Sequence, residues 1–391
     1  MKIKAEIDGL KNELINLRRD FHRYPELGFQ ELRTSTIIYN YLVECGLEVQ
    51  RVAKTGVVGL LRCRQPGRTL MLRADMDALP VQEQNDLPYK SLNEGIMHAC
   101  GHDGHMAMLL IAVKILAKYR NELNGNIKFV FQPNEEDAGA KIMIEEGVLQ
   151  NPHVDAALGL HLWAPIETGK MGITQGSVMA AHDNFRIIIT GKGGHTSAPQ
   201  SAIDPIIAAA SIIQAAQSVQ TREIDTLKPT QIMFGKVEGG TAPNVIPERV
   251  ELQGTLRWLF EVGSDSDENP RKRLERIIRG ICEAHRTKYQ LEFIPSNPTL
   301  VNDIKMTELV KATAEKVVRN STDIVNYVCM AGEDFADFAL KVPSTFYFIG
   351  TGNSEKCTQY PHHHPKFNID EDSLIIGVEM HVRSALNFLS K

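Results

Sequence analysis

Apolar residues recur along the first forty positions at helical spacing. Leu10, Leu14, Leu17 and Phe21 line one face of a segment from Ile7 to Phe21, Tyr24-Pro25-Glu26-Leu27-Gly28 interrupts it, and a second helix is predicted through Tyr41. The pattern then changes. Short apolar runs of strand length (Val57 to Leu61, Thr69 to Leu72, Ile127 to Phe131, Ala156 to Leu160) alternate with helical stretches at Met106 to Tyr119 and Ala140 to Glu146. That alternation predicts an α/β architecture, a largely parallel sheet covered by helices on both faces.

From about Asn184 the texture shifts again. Strands are predicted at Phe185 to Thr190, Gln231 to Val237 and Arg249 to Trp258, and helices at Asp204 to Gln220 and Pro270 to His285, the α+β pattern of a smaller, separate domain. The last hundred residues return to helix and strand, including Thr345 to Gly350, and carry His362, His363 and His364. If those histidines join the chemistry of the first part, the middle domain is an insertion.

Composition narrows the classes. The 391 residues are 43% hydrophobic and 23% charged, a globular balance too long for one ordinary core, so two domains are expected. A net charge of -5 without a basic stripe argues against nucleic acid as a partner. No charged segment followed by an apolar one opens the chain, and the longest apolar stretch, Ile206 to Ala216, is broken by Ser211 and Gln214. The expectation is a cytoplasmic protein, neither exported by a cleaved signal nor membrane-spanning. Six cysteines without a C-x-x-C pair read as free thiols.

Chemistry concentrates after the strands. Asp75 and Asp77 follow one, Glu135 and Glu136 follow another, and His161 follows a third, where sites gather in open α/β sheets. Cys100 and His102, two apart in "MHACGHDGH", either face one cation or belong to a helix-start turn with a buried thiol. The Glu135-Glu136 pair offers one carboxylate for a metal and one for a reacting water, or is surface charge. His161 is a ligand or a satisfied core group. Together one cysteine, one glutamate and separated histidines form a mixed S/N/O set suited to Zn, Mn, Co or Ni rather than Ca or Mg.

In order along nearly the whole chain stand "HRYPELGFQE", "LRADMDALPVQE", "MHACGHDGHMAMLL", "FQPNEE", "GLHLW", "GKGGHTSAP", "GGTAPNVIPERVELQGTLR", "MAGEDFADF" and "HHHPKF". By these motifs the chain resembles the metal-dependent amidohydrolases that include hippurate hydrolase, bacterial N-acyl-amino-acid amidohydrolases, N-acetyldiaminopimelate deacetylase and plant auxin-conjugate hydrolases, within the wider aminoacylase and carboxypeptidase superfamily. The resemblance implies a discontinuous catalytic domain (1–183 and 297–391) with a mostly parallel mixed sheet. It also implies an inserted ferredoxin-like domain (184–296) that serves as lid and dimerisation surface.

It further implies two divalent metal ions per subunit, held by Cys100, His102, Glu136, His161 and, in His-x-Pro-x-Phe, His363, with Glu135 as general base. His98, Asp103 and His105 are then supporting groups. Asp77 matches the aspartate that steadies a metal-bound imidazole, although Asp75 stands two before it where the wider superfamily has His. Asn134 stands beside the base where relatives often carry Ala. His195 corresponds to a histidine that reaches the oxyanion, often from the partner subunit, and otherwise is a polar residue of a Gly-rich hairpin. Asn244 and Arg257 match substrate or α-carboxylate contacts, while Arg257 also fits a structural ion pair. The implied activity is hydrolysis of N-acyl-L-amino acids, with an exopeptidase on the same fold or a non-catalytic metal-dependent binding protein as alternatives. A homodimer through the helix from Asp204 to Gln220 is the implied assembly.

Overall fold

A computed structural model describes residues 3–390. They form two compact units, 3–178 with Leu300–Val328 and 333–390, and Met179–Thr299 with Cys329–Gly332. The chain leaves the first unit after Val178, returns at Leu300, and crosses once more for the short segment Cys329–Gly332.

The first unit opens with helices α1 (Ile3–Arg23) and α2 (Leu32–Glu44). Its sheet comprises β1 (Glu48–Val52), β2 (Gly56–Arg62), β3 (Gln65–Asp75), β4 (Asn124–Gln132), β5 (Ala156–Glu167), β6 (Met171–Gly172), β7 (Ile324–Val325) and β8 (Ser344–Gly352), in the order β1-β2-β4-β3-β5-β8-β6-β7. The centre, β4-β3-β5-β8, is parallel throughout, and antiparallel pairs flank it. Continuous burial explains the parallel centre: β5 is buried from Ala156 through Ala164, as a strand covered on both faces must be.

Helix α3 (His102–Lys118) is apolar almost all round and buried accordingly. It begins four residues before the apolar run that predicted it, because His102, Asp103, Gly104 and His105 are themselves buried helical residues with polar partners. His161 does not end its strand as expected. Pairing of β5 with β8 continues past it, Phe348 facing His161 and Gly352 facing Glu167, so the histidine projects from within the strand. The closing helix α4 (Ser373–Leu389) completes the core.

The second unit is a β-α-β-β-α-β chain. Strands Thr230–Gly239, Arg249–Trp258, Ala181–Thr190 and Lys288–Asn297 lie in that order, all antiparallel, with helices Pro205–Ser218 and Pro270–Ala284 packed on them. This is the ferredoxin-like order. Along Ala181–Thr190 burial alternates residue by residue, the mark of a sheet with one covered face. The fourth strand was not among those predicted, although Tyr289, Leu291 and Phe293 alternate with polar residues there. No helix among the described residues is long and apolar enough to cross a membrane.

Candidate active site

Two glycines let the start of α3 approach β5. Gly101 takes φ +93°, a conformation L side chains resist, and a Cβ at Gly104 would lie 2.5 Å from the Leu162 side chain. The turn therefore presents Cys100 and His102 toward β5, and Cys100 Sγ lies 3.6 Å from His161 Nε2.

Backbone oxygens fix both imidazoles. His102 Nδ1 lies 2.8 Å from Asp77 O, and His161 Nδ1 lies 2.8 Å from Leu162 O. A carbonyl oxygen only accepts, so each ring carries a proton on Nδ1 and turns Nε2, the nitrogen left for a cation, inward. His102 Nε2 is buried without a hydrogen-bond partner.

The two glutamates follow Asn134, whose φ of +54° is left-handed, a conformation asparagine tolerates better than alanine. Its side chain donates to Asp137 O at 3.2 Å, so a turn requirement accounts for Asn at this position. The 3-10 turn Glu135–Asp137 then sends the carboxylates apart. Glu135 Oε2 lies 3.9 Å from His102 Nε2, and Glu136 Oε1 lies 3.4 Å from His363 Nε2. Asp77 ties the turn to the ring, with Oδ2 accepting from Glu136 N at 3.1 Å and Oδ1 3.3 Å from His102 Nδ1.

The three consecutive histidines separate cleanly. His363, left-handed at φ +66°, donates its backbone N–H to Ala99 O at 2.8 Å and faces Glu136. His362 places Nε2 3.0 Å from Leu162 O and stacks on Trp163. His364 stacks on Tyr360 and accepts from Lys366 N at 3.0 Å.

Two donor groups share Cys100, one with His102 and His161 and one with Glu136 and His363, and His102, Glu135 and Glu136 form another, with all ligand atoms in each within 4.8 Å of one another. The inward Nε2 atoms, Glu136 Oε1 without a hydrogen-bond partner and the shared thiol are a set that divalent transition metals fit.

Charge is concentrated behind the cluster. Burial raises the Glu135 carboxyl pKa well above its usual range, and Glu333, Glu136 and Asp334 push it further. Burial, and then Glu136 and Glu135, lift the Cys100 thiol. Burial pulls the His102 imidazolium down, but Asp75 and Asp77 outweigh it and push it up to about 10. A surplus of buried carboxylates calls for cations.

Sequence reasoning assigned no role to the residues that partly offset this surplus. Arg73, fully buried, donates to Asp75 at 2.6 Å and to Gln132 at 2.8 Å, and lies 3.0 Å from both Glu333 and Asp334. On the other side Asp103 accepts from Arg18 and pairs with His22, each at 2.8 Å, and His22 reaches Glu83 at 3.2 Å. The available signal was charge inside otherwise apolar motifs, "LRAD" and "AGEDFADF" above all.

The second unit carries the remaining three residues. His195 is exposed and pairs in register with Val245 across a two-residue ladder, so it sits opposite a distant segment rather than in a local hairpin. Ser197 N donates to its Nδ1 at 3.1 Å, which leaves the neutral ring's proton on Nε2. His195 and Asn244 line an open groove of about 640 Å³ with Thr241, Val245, Glu248 and Arg249. Arg257 donates to Met330 O at 2.9 Å, and among the described residues no carboxylate pairs with it.

The sequence is 39% identical to thermostable carboxypeptidase 1 of Saccharolobus solfataricus, over 100% of this chain and 99% of the relative. It is 44% identical to the N-acyl-L-amino acid amidohydrolase of Geobacillus stearothermophilus, over 75% of this chain and 78% of the relative. The fold superposes with a TM-score of 0.85 and 33% identity on the YXEP protein of Bacillus subtilis, described as a dinuclear metal binding peptidase, covering 98% of this chain and 99% of the other. Residues 71–387 match the profile of peptidase family M20/M25/M40, and the chain belongs to that family of hydrolases.

Proposed function

We propose that this protein hydrolyses the amide bond of N-acyl-L-amino acids, releasing a carboxylic acid and a free amino acid, with two divalent metal ions held by Cys100, His102, Glu136, His161 and His363. The observation that carries the reading is the pair of donor groups sharing Cys100, with Glu135 beside His102 in a further cluster with Glu136 and so within reach of a water held there. Mn, Zn, Co and Ni all suit the donors.

Bound there, such cations supply the Lewis acidity that makes water a nucleophile at neutral pH and the positive charge that offsets a developing oxyanion. Glu135 then accepts the proton of the attacking water and returns it to the leaving nitrogen. Asp77 holds the His102 ring and the Glu136 amide together through this exchange. In the second unit the Nε2 proton of His195 is a donor for the oxyanion, and Asn244 and the unpaired guanidinium of Arg257 are contacts for the substrate and its α-carboxylate. The same unit is the proposed homodimer surface. Strand Thr230–Gly239 is an open edge, and Ile206, Ile207, Met233 and Val237 are exposed large apolar side chains.

The likeness to a carboxypeptidase favours one rival, cleavage of a C-terminal residue from a peptide. Protein reconstituted with each metal, assayed on hippurate, N-acetyl amino acids, N-acetyldiaminopimelate and dipeptides, separates the two. The expected result is the highest kcat/KM on an N-acyl amino acid. Faster cleavage of unacylated peptides establishes the rival, and stoichiometric metal without turnover on any of them overturns both.

A further inference from the structure

Asp75 stands where the wider superfamily has His, and its partner is the buried ring of His105. Its Oδ1 lies 2.6 Å from His105 Nδ1, while Oδ2 accepts from Arg73 Nη1. On the far side of that ring, Leu162 N donates to His105 Nε2 at 2.9 Å. A backbone N–H only donates, so Nε2 is an acceptor and the His105 proton sits on Nδ1, aimed at Asp75. Both nitrogens are thus committed, which removes His105 from the ligand set although it lies in a possible donor group with Asp75 and His102.

The Leu162 peptide is held at both ends. Its N–H goes to His105, and its oxygen accepts from His161 Nδ1 at 2.8 Å and His362 Nε2 at 3.0 Å. The rings of His105 and His161 meet edge to face with centroids 4.6 Å apart. Rotation of that peptide would carry away the acceptor that keeps His161 Nε2 bare and directed at Cys100.

We infer that Asp75 and His105 are positioning residues: through the Leu162 peptide they fix the tautomer and direction of His161, and so set the affinity of the site for a divalent cation. This rests on the metal-site reading but not on the substrate, so a different reaction would leave it standing. Neither residue touches the reacting atoms in this scheme.

The test uses metal-free full-length protein labelled with 15N-histidine, the His161 ring signals being assigned with His161→Asn. The wild-type ring is expected as a single tautomer with the proton on Nδ1. His105→Leu removes both bonds and is expected to give mixed tautomers and about ten- to a hundredfold weaker Co²⁺ binding. His105→Gln keeps an acceptor for Leu162 N–H and is expected to restore most of both. Asp75→Asn, nearly isosteric, serves if the leucine variant does not fold. Arg73 and His105 face different oxygens of Asp75, and Asn puts an NH2 donor in place of one of them, so His161 should again lose its single tautomer. An unchanged His161 ring and Co²⁺ affinity within twofold of wild type in a folded variant overturns the inference, as does equal loss in the leucine and glutamine variants, which marks His105 as mere packing.

Discussion

Around Cys100, in the first unit, His102 and His161 each have one nitrogen committed to a backbone oxygen and the other turned inward. In the second unit His195 is exposed and fastened by a two-residue ladder and the Ser197 amide. The first region is assembled before anything binds, and its cost is a crowd of buried carboxylates that only cations relieve. The second region stores no such strain. Its donors stay solvated until a ligand reaches them. The proposed metal holding and substrate holding are thus separated by environment, and substitutions should separate them too.

The largest effect is expected at the residue shared by both donor groups. Cys100→Ala should lower metal content below stoichiometric by elemental analysis and reduce turnover to background. Full metal content in that variant would break the reading of one centre with a shared thiol. Next comes the base. Glu135→Gln should lower kcat by about 10²–10⁴-fold with metal content and KM near wild type, measured on the best N-acyl substrate. Comparable loss of metal would place Glu135 among the ligands instead.

His195→Ala sharpens the contrast from the other side. It should cost roughly 10²–10³-fold in kcat, as removal of an oxyanion donor does, while metal content and the melting midpoint stay unchanged. A variant with full activity would leave His195 a polar residue of the exposed ladder.

Much of the fold was legible because its periods are clean. The parallel centre showed as short apolar runs, and the ligand candidates stood at or just beyond them. What stayed hidden depended on pairing across long sequence separations. Asp75 reads like any acid after a strand, and only the fold brings it to His105 and Arg73. His363 could be chosen from three neighbours by motif spacing alone, yet its physical distinction is a left-handed backbone that turns one ring to Glu136 while Trp163 and Tyr360 stack on the other two. The first turn of α3 was missed because histidine and aspartate count as polar, whereas here buried partners satisfy them.

The smallest expected effect lies in the second unit, at His182. Burial, and then the charge of Arg257, pulls its pKa from 6.5 down to about 4, against a weaker upward pull from Asp183. The folded state therefore prefers the neutral ring. Its contribution to stability is complete above about pH 6.5 and is lost as pH falls toward 4, because the unfolded chain takes up a proton that the folded chain refuses. Discounted for the partial exposure of the ring, the difference is roughly 1 kcal/mol. The melting midpoint of His182→Gln minus that of wild type should be a few degrees more positive at pH 4.5 than at pH 7.5. Metal-free protein is the proper comparison, since occupancy of the first unit would otherwise add its own pH dependence. An equal gap at the two pH values would mean that His182 titrates normally, and that the second unit, unlike the first, holds no histidine whose charge the fold controls.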